Sequence, residues 1–95
     1  MKVQLSEQAK KTLSKLDKSI SKKITSYLHE IEKLADPRSR GKGLTADKAG
    51  LWRYRIGDYR LICQIQDNLL IITVIRIGHR KAVYSNITSS EKSLS

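Results

Sequence analysis

The sequence predicts an α+β fold: a short N-terminal strand, a two-helix hairpin, then an antiparallel three-stranded meander, with both helices packed on one face of the sheet. Three observations carry that reading. Apolar residues recur at spacings of three and four between Ile20 and Leu34, the mark of an amphipathic helix. Beyond Pro37 the period changes to two, in runs on either side of Gly57-Asp58. The stretch LLIITVI, Leu69 to Ile75, is too short to cross a bilayer as a helix and reads as a buried strand.

Taken in order, Val3 and Leu5 alternate with Lys2, Gln4 and Ser6, which predicts the first strand. Ser6 is placed to cap a helix that carries Ala9, Leu13 and Leu16 on one side. Asp17 is a candidate cap for a second, longer helix bearing the stripe Ile20, Ile24, Tyr27, Leu28, Ile31 and Leu34. Lys22, Lys23, Glu30 and Lys33 lie off that stripe, and His29 reads as a surface residue. Asp36-Pro37 ends the helix, because the proline ring disfavours helical geometry in the residue before it. Residues 38–50, rich in glycine and charge, read as a loop. Strands are expected at Leu51–Ile56, Tyr59–Gln66 and Leu69–Ile77. The chain reads as a single domain over residues 1–95, with a serine-rich tail from Ser85 to Ser95 that is flexible or forms a last helical turn.

A net charge of +10 and a pI near 10.0 are extreme for 95 residues and favour a polyanionic partner, nucleic acid or an acidic protein. The excess is uneven. From Pro37 onward there are 11 Lys and Arg against 4 Asp and Glu, and every arginine lies there, while lysines dominate the first part. Arginine presents a planar fork suited to phosphate; lysine is a solvated point charge. The lone Cys63 forms no internal disulfide and no metal cluster, which suits a reducing cytoplasm. The opening MKVQLSEQAKKTL lacks the apolar core of a signal peptide. No paired carboxylates, metal triad, Ser–His–Asp set or glycine-rich phosphate loop is visible, so no metal or other cofactor is expected.

Gly57-Asp58 carries the type II′ signature of a two-residue hairpin. That turn sets Ile56 opposite Tyr59, Arg55 opposite Arg60 and Arg53 opposite Ile62. Trp52, Tyr54, Ile56, Tyr59, Leu61, Cys63 and Ile65 then share the face toward the helices, and Arg53, Arg55 and Arg60 share the other. Facing arginines repel by about 0.2–1 kcal/mol. A phosphate lying across them would neutralise the pair through charge-assisted hydrogen bonds; alternatively the aliphatic stems cover the sheet while the heads stay in water. A second two-residue turn at Asp67-Asn68 would place Leu69, Ile71, Thr73 and Ile75 on the arginine face, and Leu70, Ile72, Val74 and Arg76 toward the core. Lys42 and Lys48 in the preceding loop read as polyanion contacts or as solvated charges. After Gly78 come His79, Arg80 and Lys81, with Tyr84 beyond; a phosphate-binding arginine beside a base-stacking tyrosine is a minimal kit for gripping single-stranded RNA.

The runs WRYRIGDYRL (Trp52–Leu61) and IGHRKAVY (Ile77–Tyr84), with the strand–helix–helix–meander order, resemble the RelE toxins of bacterial toxin–antitoxin pairs, within the wider RelE/ParE superfamily, over nearly the whole chain. The resemblance implies a ribosome-dependent endoribonuclease that cuts messenger RNA in the ribosomal A site, the RNA's own 2′-hydroxyl attacking the adjacent phosphate. It implies phosphate clamping by Arg53 and Arg55, transition-state stabilisation by Arg60, protonation of the leaving oxygen by Arg80 and base stacking by Tyr84; from their charge and position, Lys42, Lys48, His79 and Lys81 are expected as further RNA contacts. Family members often carry lysine where this chain has Arg53 and Arg55. Arginine does not give up its proton, so neither is a general base. His79 is a candidate for that role, histidine being the side chain whose charge ordinarily changes near neutral pH; a phosphate contact or a solvated turn residue is its other reading. The partners implied are a cognate RelB-like antitoxin, acidic where it wraps the toxin, and the ribosome with its messenger RNA, in the cytoplasm and away from membranes. Two other functions fit the same chain: a ParE-like toxin that poisons DNA gyrase on this fold, and a non-catalytic basic RNA-binding module.

Overall fold

A computed structural model describes residues 1–44 and 50–79. The elements in chain order are β1 (Lys2–Leu5), α1 (Glu7–Lys15), α2 (Lys18–Lys33), a 3-10 turn (Pro37–Ser39), β2 (Lys42–Gly43), β3 (Leu51–Ile56), β4 (Tyr59–Gln66), a second 3-10 turn (Asp67–Leu69) and β5 (Ile71–His79). They form one mixed sheet in the order β1-β5-β4-β3-β2. The expected meander is therefore its centre, extended on both sides. β1 runs parallel to β5, with Leu5 opposite Val74, and β2 runs antiparallel to β3, with Lys42 opposite Arg53.

Both helices lie on one face. Their buried Ala9, Ile24, Leu28 and Ile31 meet Tyr54, Leu61, Cys63, Ile65, Ile72, Val74 and Ile77 from the sheet. Burial pushes the Cys63 thiol up to about 12, so it stays protonated at neutral pH. Ser6 caps α1 as expected: its hydroxyl oxygen accepts from the Ala9 amide at 3.1 Å. Asp17 sits at the N-cap of α2 but its side chain makes no capping bond; its carbonyl accepts from the Ser21 amide instead. The junction between the helices is tied by the Ser21 hydroxyl, which donates to the Leu13 carbonyl at 2.8 Å. Glu32 from α2 accepts from the Val3 amide on the open edge of β1, and that bond holds its carboxyl below the usual range.

The stretch expected to be a loop from residue 38 is held tightly in its first part. The Asp36 carboxylate caps the 3-10 turn by accepting from the Arg38 amide. The buried Tyr54 hydroxyl donates to the Pro37 carbonyl at 2.6 Å, and the Trp52 indole donates to the Arg40 carbonyl at 2.6 Å. Gly41, at φ +81°, passes so close to Trp52 and the Arg53 carbonyl that a Cβ would collide with both. These anchors deliver Lys42 to the edge of β3.

Two expectations about the last strand are corrected. Asp67 and Asn68 do not form a two-residue loop. A 3-10 turn runs through Leu69, and Leu70 takes the left-handed conformation at φ 56°, so β5 begins at Ile71 and reaches His79. The second correction concerns Arg76. Ile62 pairs with Arg76 while Cys63 pairs with Val74, leaving Ile75 as the extra residue of a β-bulge. The bulge reverses the alternation, so Arg76 leaves the core side and Ile77 takes its place there.

Candidate functional site: a cationic sheet face

The hairpin register is the expected one: Arg55 opposes Arg60 and Arg53 opposes Ile62. Gly57 has φ +58° and Asp58 is not left-handed, as a type II′ turn requires. Residues directly paired across strands project to the same face. The face away from the helices therefore carries one row of Lys42, Arg53, Ile62 and Arg76, and a second row of Arg55, Arg60 and Gly78. With strands about 4.8 Å apart, the first row spans roughly 14 Å over four strands. Five cations thus project from one patch of sheet. Lys42 is exposed and Arg55 exposed; Arg53 and Arg76 are half-buried.

Arg60 is different. It is 7% exposed, yet it lies on the face away from α1 and α2. Its guanidinium turns back toward the hairpin and donates to the Gly57 and Tyr59 carbonyls at 3.5 and 3.4 Å, both long. Its Nε is buried with no hydrogen-bond partner among the described residues. Opposite it, Gly78 contributes no side chain to crowd the space. Among the described residues no acidic side chain pairs with Arg55, Arg60 or Arg76. Two of the described acids hold other arginines. Asp67 holds Arg38 by two bonds of 2.9 Å, and Glu30 holds Arg40 at 2.9 Å, both off this face. Arg38 in turn keeps the Asp67 carboxyl below its usual range. Guanidinium groups such as those of Arg55, Arg60 and Arg76, with no carboxylate beside them among the described residues, have the charge and donors to bind an external anion.

His79 does not join this set. It pairs with Tyr59, edge-on at 5.8 Å between ring centroids, and so belongs to the helix side of the sheet. The register thus separates it from Arg55 and Arg60. Lys48, Arg80, Lys81 and Tyr84, together with the tail from Ser85, lie outside the described residues. Arg76 is the member of the face that alternation alone assigns to the wrong side. Its signal in the sequence is a charge at a position otherwise set aside for the core, a local conflict that a bulge resolves. No group of three His, Cys, Asp or Glu side chains able to hold a metal stands among the described residues. No helix among them is long and apolar enough to cross a membrane.

Two helices on one face of a mixed sheet, and a row of cationic side chains on the other, give a two-layer α+β protein with one strongly basic face. The chain belongs to the ParE toxin family: the model of the ParE toxin of the type II toxin–antitoxin system, parDE, matches residues 3–84. It is a toxin of a type II toxin–antitoxin system on the RelE/ParE fold. Similar solved structures include the RelBE2 toxin–antitoxin complex of Mycobacterium tuberculosis, 28% identical with a TM-score of 0.73, covering 83% of this chain and 90% of that one. The isolated RelE toxin of E. coli is 22% identical with a TM-score of 0.69, covering 94% and 96%. A YoeB/ParE toxin from Agrobacterium tumefaciens is 18% identical with a TM-score of 0.65, covering 83% and 98%. No curated protein matches the chain.

Proposed function

We propose that this toxin is a metal-independent endoribonuclease that cuts messenger RNA in the ribosomal A site and so inhibits translation, acting as a single domain in the cytoplasm. The observation that carries the reading is Arg60: a guanidinium with a buried, unpartnered Nε, facing Arg55 across the hairpin with no carboxylate beside it among the described residues. A phosphodiester supplies the negative charge and the acceptors that this pair lacks. In the reaction the 2′-oxygen forms a bond to phosphorus, the bond to the 5′-oxygen breaks, and the 2′-proton ends on the departing 5′-oxygen. The products are a 2′,3′-cyclic phosphate and a free 5′-hydroxyl. Arg53 and Arg55 hold the phosphate in line with its attacking hydroxyl, and Arg60 stabilises the charge that builds on the phosphoryl oxygens. Arg80 donates a hydrogen bond to the leaving 5′-oxygen as the 2′-proton reaches it through solvent, and Tyr84 stacks on a base. Lys42, Lys48 and Lys81 hold the strand. The partner is a RelB-like antitoxin whose acidic segment covers the arginine face; the Mycobacterium tuberculosis neighbour, solved as a complex of toxin and antitoxin, supports that class of partner. Expression of the chain without antitoxin is expected to arrest growth, and Arg80→Ala and Tyr84→Ala are each expected to relieve the arrest while remaining folded. If both variants fold and stay fully toxic, the nuclease reading fails.

The family match favours a second reading, a ParE-like poison of DNA gyrase on the same fold. That activity has no need of the facing arginines. A supercoiling assay with purified gyrase separates the two: inhibition that survives Arg60→Met selects the gyrase reading.

A further inference from the structure

The bulge in β5 has a specific partner. Ser6, the residue between β1 and α1, meets it with both its backbone and its side chain. The Ser6 amide donates to the Val74 carbonyl at 2.9 Å, and the Ser6 hydroxyl donates to the Ile75 carbonyl at 2.8 Å. The same hydroxyl oxygen accepts from the Ala9 amide. A bulged residue has no ladder partner, so its carbonyl must be satisfied from elsewhere. Here the cap of α1 does it, and one hydroxyl serves the helix start and the bulge together.

The bulge decides where Arg76 points. With unbroken pairing, Cys63 opposite Val74 would set Arg76 opposite Leu61, on the buried side. With Ile75 set aside, Arg76 stands opposite Ile62 and completes the row that begins at Lys42 and Arg53. Arg76 is also a diagonal neighbour of Arg60, whose direct partner is Gly78, two residues along β5. Diagonal neighbours on a sheet lie about 7–8 Å apart. A charge is thus carried onto an interior strand, half-buried, with no acidic partner among the described residues.

We infer that Arg76 is an additional phosphate-binding residue of the cationic face, contacting the RNA backbone beside the one held by Arg55 and Arg60, and that Ser6 is its positioning residue through the bulge carbonyl. This rests on the RNA reading above and adds to it a contact on the central strands and the device that aims it.

The test is the salt dependence of binding of the full-length protein to ribosomes programmed with a synthetic messenger RNA. Each single-strand phosphate neutralised contributes about 0.7 to the slope of log affinity against log salt. Arg76→Gln is expected to lower the slope by about that amount and to weaken binding about tenfold at low salt, the loss of one charge-assisted contact. Arg76→Lys should restore the slope. Ser6→Ala should reduce the slope as Arg76→Gln does, Ser6→Thr should restore it, and Ser6→Ala added to Arg76→Gln should lower it no further. Thermal melts show whether each variant is folded, and a merely destabilised protein would lose active fraction without a change of slope. If wild type binds with a salt-dependent slope and folded Arg76→Gln matches it, the inference is overturned while the RNA reading stands. If Ser6→Ala keeps the wild-type slope, the role of Ser6 is overturned. If wild type does not bind programmed ribosomes, the RNA reading falls and this contact falls with it.

Discussion

Replacing Arg60 by methionine is expected to make the protein more stable and inactive at once. The two effects share a cause. Arg60 is 7% exposed, its Nε has no hydrogen-bond partner among the described residues, and it stands opposite Arg55 across the hairpin. The like-charge pair costs about 0.2–1 kcal/mol, and a buried donor without an acceptor costs about 1–3 kcal/mol. Against this stand two bonds to backbone carbonyls at 3.4 and 3.5 Å, at the weak end of hydrogen-bond geometry. Methionine is unbranched and flexible enough to fill the space that the arginine stem leaves. The net gain is about 1–2 kcal/mol in the free protein. For a domain of this size each kcal/mol moves the melting temperature by about 4–8 °C. The assay is a urea or thermal melt of purified wild type and Arg60→Met, repeated with added inorganic phosphate. Phosphate should raise the midpoint of wild type by binding the folded state, and leave the variant unmoved. An Arg60→Met protein that melts below wild type, or one that phosphate stabilises equally, would refute the idea that Arg60 is held for an external anion.

Two other outcomes test the scaffold. Gly41→Ala should lose about 2 kcal/mol or more in a urea melt, because φ is +81° and the new Cβ meets Trp52 and the Arg53 carbonyl. The Arg38–Asp67 pair should leave a mark in acid. The Asp67 carboxyl is depressed from its ordinary 3.8 by Arg38, so its contribution is complete above 3.8 and disappears as pH falls through the lower folded value. Asp67→Asn should therefore show a shallower loss of stability in that acidic window than wild type, measured by melts at a series of pH values.

Much of this architecture is legible before any coordinates, and the parts that are not have definite reasons. The arginine pair was readable because Gly57-Asp58 fixes a turn type, and a turn type fixes a register. The helices were readable because the stripe from Ile20 to Leu34 has only one period. The side of Arg76 is not legible because period-two counting assumes an unbroken ladder, and the bulge that breaks it is held by Ser6, a residue remote in sequence. The two-residue strand at Lys42 was too short to leave a pattern; it exists because Gly41 and Trp52 hold the chain against β3. The turn after Gln66 departs from the two-residue expectation because Leu70, a residue that rarely adopts a left-handed backbone, does so here, with its carbonyl bonded to the Lys2 amide. His79 belongs to the basic run after Gly78 in the sequence, and the register sets it beside Tyr59. In each case the missing information was a tertiary contact, not a local preference.

The most direct measurement is primer extension on a messenger RNA translated by purified ribosomes, with wild type and with Arg60→Met. The account expects discrete stops within the translated region, present only with ribosomes and wild-type toxin, with a 2′,3′-cyclic phosphate on the upstream fragment. Full-length messenger RNA alongside a toxin that still arrests growth would contradict it.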